Sequence, residues 1–142
     1  MSNINTSLEL LMQLSRFQAL VARKFDQLSV HGLGFNDLLV LHTLQQAPKE
    51  KMRRVDLAEH IGVTASGITR MLLPMEKNGW VSREVSERDA RVGFAVLTPA
   101  GKRLYTEAIK TAQHIAEGIA PGQQLNDGTL QPMFNFLNNH LK

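Results

Sequence analysis

Short polar and basic side chains cluster between residues 64 and 70, in a pattern that suits contact with a nucleic acid. Thr64, Ser66, Thr69 and Arg70 can donate hydrogen bonds to base edges or phosphates, and Gly67 lets a backbone approach closely. If a helix begins at Thr64, these residues occupy its first turns, where free N–H groups and the helix dipole favour a phosphate. Each residue taken alone is also compatible with an ordinary polar surface position.

A second charged group, Arg88-Asp89-Ala90-Arg91, lies between two runs rich in β-branched and aromatic residues. An arginine on a loop held by two strands can enter the minor groove of DNA, where a narrow groove strengthens the negative potential. Asp89 stands two residues before Arg91 and can hold its guanidinium through a charge-assisted hydrogen bond. The same residues are also compatible with a solvated salt bridge.

The charge of the chain is concentrated in the segment that holds both groups. Residues 49–103 contain 11 of the 16 Lys and Arg residues and 7 of the 13 Asp and Glu residues, so their net charge is +4 and that of the remainder is −1. A basic middle with flanks that are not basic is the asymmetry expected when one segment meets a polyanion. A basic surface without a partner would give the same count.

Composition excludes several kinds of site. The chain has no cysteine, which rules out disulfides, thiolate metal clusters and thiol nucleophiles. Residues 1–6 are polar and unlike a signal peptide, and no apolar run approaches the roughly 18 residues that span a bilayer, so we expect no membrane association and a cytoplasmic protein. Glycine-rich phosphate loops, nucleophile elbows and paired-histidine motifs are missing, so neither an enzyme nor a cofactor is expected.

Hydrophobic periodicity predicts six helices and a β-hairpin. Apolar residues recur at spacings of three and four from residue 4 to about 29, which predicts a long first helix whose wide stripe suits either a buried position or a partner subunit. A second helix, capped by Asn36, should stop before Pro48, and a short strand Met52–Arg54 should follow. Next come a helix Val55–Ile61, a helix Ala65–Asn78 capped by Thr64, and strands Trp80–Val85 and Gly93–Leu97. A fifth helix should start at Pro99 after the Thr98 cap and end at Pro121, and a last helix should run from about Leu130 to Leu141.

This order predicts a mainly α fold with a small β-hairpin wing, a winged helix-turn-helix. Two short helices joined by a three-residue turn and followed by a hairpin place the second helix in the DNA major groove. We expect a single domain over residues 1–142, in which residues 35–103 form the DNA-binding lobe and residues 1–34 and 104–142 supply helices for dimerisation. Their apolar stripes exceed what one small lobe can cover.

Several segments resemble the signature of the MarR (multiple antibiotic resistance regulator) family, with the register held from residue 57 to residue 101. They are Leu57-Ala58, Gly62-Val63-Thr64, Thr69-Arg70, Met75-Glu76-Lys77-Asn78-Gly79, Val81-Ser82-Arg83, Asp89-Ala90-Arg91 and Leu97-Thr98-Pro99-Ala100-Gly101.

The resemblance implies a homodimeric regulator, with an interface built from the first and last helices, that binds a pseudo-palindromic operator in double-stranded DNA. It further implies a repressor that a small, often aromatic, acidic ligand releases from DNA. Ser66, Thr69 and Arg70 would lie in the major groove, while Arg91 would enter the minor groove, oriented by Asp89.

The sequence departs from the family pattern at two positions. Pro74 lies inside the recognition helix, where proline removes an N–H bond and costs about 3 kcal/mol in a regular helix, so a kink is expected after the reading residues. Arg53 stands where the family usually has a Ser or Thr cap. Arg53 and Arg54 are therefore interpreted as phosphate contacts.

An effector cavity is expected between the first, second and fifth helices, with Phe17, Phe35, His42 and Tyr105 as its candidate lining residues. Ordinary core packing is the alternative for each of them. The five histidines are scattered, and no metal site is predicted. Two further alternatives stay open, a winged-helix module that contacts only proteins and a metal-responsive regulator with His and carboxylate ligands.

Overall fold

The computed structural model describes residues 3–125, 128 and 130–141. The ends of the two predicted dimerisation segments (residues 1, 2 and 142) and residues 126, 127 and 129 lie outside the described part. The helices are α1 Thr6–Lys24, α2 Phe35–Gln46, α3 Arg54–Ile61, α4 Ala65–Lys77, α5 Pro99–Ile119, the single turn α6 Gly122–Leu125 and α7 Leu130–His140; the strands are β1 Lys51–Arg53, β2 Val81–Val85 and β3 Gly93–Leu97; 3-10 segments cover Phe25–His31 and Pro48–Glu50.

The predicted fold class is confirmed over the described residues. They form six helices of eight residues or more and a winged helix-turn-helix in which α3 and α4 precede the β2–β3 hairpin. Among these helices, none is long and apolar enough to cross a membrane.

The first helix is shorter than predicted. It ends at Lys24, and the chain continues to His31 as a 3-10 segment that stops at Gly32, whose φ is +77°. The tighter winding changes the direction of the side chains. No residue of α1 is buried, whereas Phe25 and Leu28 are 5% and 0% exposed. The prediction of one continuous helix to residue 29 was therefore wrong, because the chain changes its winding to bury the side chains of Phe25 and Leu28 in the core.

The N-terminus of α2 also corrects a prediction. Asn36 lies inside the first turn, and the capping residue is Gly34. The carboxylate of Asp37 accepts a hydrogen bond of 2.9 Å from the Gly34 N–H. An acidic residue at the third helical position satisfies a backbone donor in this way, which is half of a capping box. The cap prediction for Asn36 is wrong because the helix begins two residues earlier than it required.

Three antiparallel strands form the sheet, in the order β1-β3-β2. Met52 pairs with the fully buried Ala95 at its centre, and β2 pairs with β3 from Val81–Leu97 to Val85–Gly93. The first strand is displaced by one residue from the prediction because Arg54 already begins α3. The hairpin of the wing is thus attached to the segment immediately before the helix-turn-helix.

The core of the lobe lies beneath α4. This helix begins at Thr64, whose Oγ1 accepts a 3.0 Å hydrogen bond from the Gly67 N–H, as the sequence predicted. It buries Ile68, Leu72 and Met75 against α2, α3 and the sheet. Because buried side chains follow the helical period, the opposite face of α4 is left to solvent. The helix continues through Pro74 to Lys77.

The start of α5 is fixed against the sheet. Thr98 caps this helix by accepting a 3.0 Å hydrogen bond from the Gly101 N–H, as predicted, and its own hydroxyl donates to the backbone carbonyl of Gly79 at 2.6 Å. Gly101 is buried, and a Cβ at this position would overlap the carbonyl oxygen of Trp80. The approach of α5 to the base of the wing therefore requires glycine here.

The terminal helices are incompletely covered by the chain itself. Neither α1 nor α7 contains a buried residue. Their large apolar side chains that are at least two-fifths exposed include Leu8, Leu10, Leu11, Met12 and Phe17 on α1 and Met133, Phe134 and Phe136 on α7. This much apolar surface on two helices exceeds what is usual for scattered surface residues.

Candidate nucleic-acid interface

The turn between α3 and α4 presents the first turn of α4 to solvent. It contains Gly62, whose φ of +88° suits glycine and ends α3. Thr64 and Ser66 are exposed, with their hydroxyl oxygens 3.2 Å apart. The helix terminus and both hydroxyls therefore point to the same open surface, as a phosphate or base-edge contact requires.

Arg70 and Thr69 differ in how free their polar groups are. The side chain of Arg70 is exposed and makes no hydrogen bond or ion pair to any residue that the structure describes. In contrast, the Thr69 hydroxyl donates to the carbonyl of Ala65 at 3.1 Å and accepts from Arg54 Nη2 at 3.4 Å. Arg70 can thus extend towards a ligand without breaking a contact, whereas the Thr69 hydroxyl already has two partners.

The wing has the predicted arginine–aspartate contact. Arg91 Nε and Nη2 donate to the two carboxylate oxygens of Asp89 at 3.1 and 3.3 Å, and the Arg91 backbone N–H donates to Oδ1 at 3.0 Å. These bonds hold the pKa of Asp89 below its ordinary value of 3.8. The Arg91 side chain is 91% exposed. Arg88 lies on the same loop, where its backbone N–H donates to Ser86 Oγ at 3.2 Å.

A charge cluster that the sequence did not predict connects three elements of the lobe. Glu76 on α4 accepts from Arg54 Nη1 at 3.1 Å and from Arg83 Nε at 3.0 and 3.1 Å. The Glu76 and Arg54 side chains are 17% and 18% exposed, and that of Arg83 is 55% exposed. Because Arg54 begins α3 and Arg83 lies on β2, this one carboxylate connects the start of the helix-turn-helix and the wing to α4.

The two arginines interpreted as phosphate contacts therefore both have protein partners. Arg53 bonds the carboxylate of Asp56 at 2.8 and 3.0 Å, which lowers the pKa of Asp56 and raises that of Arg53. Its guanidinium is half exposed, so an outer face is left for an anion. Arg54 is turned inward towards Glu76, and this position suits a support of α4 better than a contact with DNA.

A cleft of about 300 Å³ separates the base of the wing from the helix-turn-helix. Its walls include Arg53, Arg54, Thr69 and Arg91. The structure thus places three guanidinium groups around one opening between the two elements that were predicted to contact DNA. Each of them has a carboxylate partner, and the exposed outer parts of Arg53 and Arg91 are what the opening offers to a backbone phosphate.

Of the four residues predicted for an effector cavity, the structure brings three together. Phe35 and His42 line a groove of about 320 Å³ between α2 and α5. Tyr105 lies beside it, with its hydroxyl 2.7 Å from His42 Nδ1, and burial raises the pKa of Tyr105. Phe17 lies elsewhere, in a separate groove on the outer surface of α1.

The groove between α2 and α5 is mainly apolar. Its walls are Phe25, Phe35, Leu38, Leu39, His42, Ile109, Ala112, Gln113 and Ala116. They include no Lys, Arg, Asp or Glu, so the polar groups available to a ligand are the imidazole of His42 and the amide of Gln113. In the part of the chain that the structure describes, no three His, Asp or Glu side chains come together as metal ligands.

Comparisons with known proteins identify the family. The sequence model of the MarR family matches residues 36–92. The chain is 32% identical over 108 residues, 75% of either chain, to the uncharacterized HTH-type transcriptional regulator YwoH from Bacillus subtilis strain 168.

Two solved structures are similar in fold. One is a mutant MarR from E. coli complexed with operator DNA (19% identity, 100% of both chains, TM-score 0.80). The other is CouR from Rhodococcus jostii RHA1 bound to p-coumaroyl-CoA (22% identity, 91% of this chain and 88% of the other, TM-score 0.77). These two structures show the shared fold, and the match to the family model together with the 32% identity to YwoH shows that the chain belongs to the MarR family.

Proposed function

We propose that this protein is a sequence-specific DNA-binding transcriptional regulator. The observation that carries the proposal is that α4 and the wing form the two walls of one cleft, and that each of these elements carries an exposed arginine, Arg70 on α4 and Arg91 on the wing. In this proposal α4 enters the major groove, where Ser66 and Arg70 face base edges. Arg91 enters the adjacent minor groove, where only A·T and G·C pairs are distinguished.

The active form is proposed to be a homodimer on a pseudo-palindromic operator. The exposed apolar faces of α1 and α7 support this, because burial of apolar area is the main favourable term in subunit association. A two-fold dimer presents its two recognition helices on one side of the duplex, so half-sites about 10 base pairs apart are expected. The similar fold of a MarR that was solved in complex with operator DNA supports binding to an operator. The same proposal places the protein in the cytoplasm.

We also propose that the protein is a repressor and that a small molecule bound between α2 and α5 releases it from DNA. The apolar groove beside His42 and Tyr105 supports this, as does the ligand in the related CouR. The absence of a cationic side chain from these walls favours a flat, largely apolar ligand that accepts or donates one hydrogen bond at His42, rather than one recognised through its carboxylate.

A gel-shift titration with the DNA upstream of the protein's own gene tests the central proposal. The wild-type protein should bind one segment in preference to an unrelated duplex, and the Arg70→Ala variant should bind it more weakly with relaxed choice at one position per half-site. A folded, dimeric protein that shows no preference for any duplex would instead support a winged-helix module that contacts proteins.

The ligand proposal has its own test. Aromatic and other flat apolar compounds are added to the protein, and thermal stability and operator affinity are measured with each. A ligand should raise the melting temperature and lower the affinity, and both effects should weaken in the His42→Leu variant. If the whole panel changes neither quantity, the effector role is withdrawn while the DNA-binding proposal stands.

A further inference from the structure

An apolar side chain lies on the outward face of α4. Leu73 is 46% exposed. With about 100° of rotation per residue, it lies about 20° from Ser66 and about 40° from Thr69 around the helix axis, and about 140° from the buried Ile68. Leu73 is therefore on the same face as the residues proposed to read DNA, about 10 Å further along the helix from Ser66.

The neighbour of Leu73 one turn earlier also offers an apolar group. The hydroxyl of Thr69 is engaged by the Ala65 carbonyl and by Arg54. Thr69 is exposed, and its methyl group is the part of the side chain that has no polar partner. Residues four apart on a helix are neighbours, so Thr69 and Leu73 form a continuous apolar strip beside the polar side chains of Ser66 and Arg70.

The major groove of DNA offers one apolar group to such a strip. Its floor consists of hydrogen-bond donors and acceptors, except for the C5-methyl group of thymine. A leucine facing an acceptor or donor would remove it from water without a partner, which is unfavourable. A thymine methyl is the group whose burial against Leu73 costs no hydrogen bond.

We propose that Leu73, together with the methyl group of Thr69, reads thymine methyl groups in each operator half-site. The inference rests on the proposed placement of α4 in the major groove. Because Leu73 lies about 10 Å further along α4 than Ser66, the thymine that it reads is not the base pair that Ser66 faces. Leu73 is thus a specificity-determining residue that acts without a hydrogen bond.

Replacing thymine by deoxyuridine in the operator tests this directly, because the change removes the methyl group and keeps every hydrogen-bonding atom. Each thymine is replaced in turn, symmetrically in both half-sites, and affinity is measured for the wild-type protein and for Leu73→Ala. At one position the wild-type affinity should fall by about fourfold per half-site, as expected for one buried methyl-sized group. Leu73→Ala should bind the methylated operator more weakly and show no further loss with deoxyuridine.

Two further variants complete the design. Leu73→Met keeps an apolar contact and should retain the preference for thymine over deoxyuridine. Gln46→Ala, at an exposed residue at the end of α2 outside the proposed DNA-contacting and dimerisation surfaces, is the control and should bind as the wild type does. Because Leu73 is exposed and alanine favours helices, the alanine variant should keep its helical circular dichroism and its melting temperature.

Three outcomes separate the reading of thymine by Leu73 from the proposed DNA binding itself. If the wild-type protein prefers its operator and Leu73→Ala loses as much affinity on the deoxyuridine operators as the wild type does, the thymine reading is overturned and DNA binding stands. A uniform loss on all duplexes would assign Leu73 to the backbone and also overturn it. If the wild-type protein prefers no duplex, the proposed function fails and this inference fails with it.

Discussion

Glu76 is expected to support the DNA-binding surface without touching DNA. Its carboxylate bonds Arg54 at the start of α3 and Arg83 on the wing strand β2. Substitution by glutamine keeps the shape of the side chain and removes its charge. Glutamine has one side-chain oxygen, which can accept only some of the hydrogen bonds that Glu76 accepts from Arg54 and Arg83. Its NH₂ group then faces a guanidinium that no longer has a negatively charged partner.

The magnitude follows from how much solvent reaches each contact. The Arg54–Glu76 pair is largely shielded, with 18% and 17% of the two side chains exposed, so its hydrogen bonds to charged groups contribute more than those of a surface pair. Arg83 is 55% exposed, and its pair with Glu76 contributes about 0–1 kcal/mol. We therefore expect Glu76→Gln to lower the free energy of unfolding by about 2 kcal/mol. The melting temperature should fall by about 4–8 °C for a chain of this length.

The assay is thermal and urea unfolding at one fixed protein concentration, since dimerisation makes apparent stability depend on concentration. Glu84→Gln is the matched control. It removes the same charge from a 48% exposed carboxylate that bonds Lys51 at 2.6 Å, and it should cost less than about 1 kcal/mol. A double-mutant cycle with Arg54→Gln should give a coupling energy of about 1–2 kcal/mol.

Two results would refute this reasoning. Equal destabilisation by Glu76→Gln and Glu84→Gln would show that shielding of the Arg54–Glu76 pair has no consequence. A salt dependence of operator binding that flattens by about one counterion in Arg54→Gln would show that Arg54 contacts a phosphate, as the sequence had suggested. If Arg54 only positions α4, Arg54→Gln should lower the affinity for the operator and leave the salt dependence of binding unchanged.

The remaining predictions concern the wing, α5 and the terminal helix. Arg91→Ala should weaken operator binding and reduce its salt slope by about one counterion, and Asp89→Ala should have the same effect in milder form; wild-type affinity and slope in Arg91→Ala would remove the wing from the interface. Because the pKa of Asp89 is lowered from 3.8, its bond to Arg91 is present above that pH and lost only as the pH falls through the lowered value, so a carboxyl NMR titration should show Asp89 ionised throughout the range of binding assays. Gly101→Ala should destabilise the fold by roughly 2–3 kcal/mol, because its Cβ overlaps a backbone carbonyl, whereas Gly118→Ala on the same helix, with no atom within 4 Å of its Cβ, should be neutral or stabilising in urea unfolding. Deletion of residues 130–142 should leave the apolar face of α1 uncovered and give an aggregated or unfolded chain by size-exclusion chromatography, and a soluble folded monomer would contradict the dimer proposal.

Contacts between residues close in the sequence were predictable. Thr64 and Thr98 cap helices by accepting from an N–H three residues later, and Asp89 bonds Arg91 two residues away. Such contacts depend on local backbone geometry and residue type, which a pattern displays directly. The same holds for the β-branched and aromatic residues that predicted β2 and β3, so the order of elements in the lobe followed from the sequence.

Contacts between distant residues were not predictable from one sequence. Arg54 and Glu76 are 22 residues apart, and nothing in either segment indicates the other, so Arg54 was interpreted as a phosphate contact. The change from α to 3-10 winding at Phe25 escaped notice for a similar reason. The position of the core relative to α1 decides where the α-helix gives way to the 3-10 segment. The apolar spacing of residues 4–29 predicts one helix whether or not the winding changes.

The pairing of β3 with two strands gives the lobe a cooperative character. Strand β1 precedes α3, β2 follows α4, and both hydrogen-bond to β3. The helix-turn-helix is therefore a loop of chain whose two ends are fastened to one strand, so it cannot open without disrupting the sheet. In hydrogen exchange, the amides of α4 and of the three strands should then open together, as one unit with one free energy, and not as separate fraying elements. A ligand that loosens any member of this unit loosens the recognition helix as well.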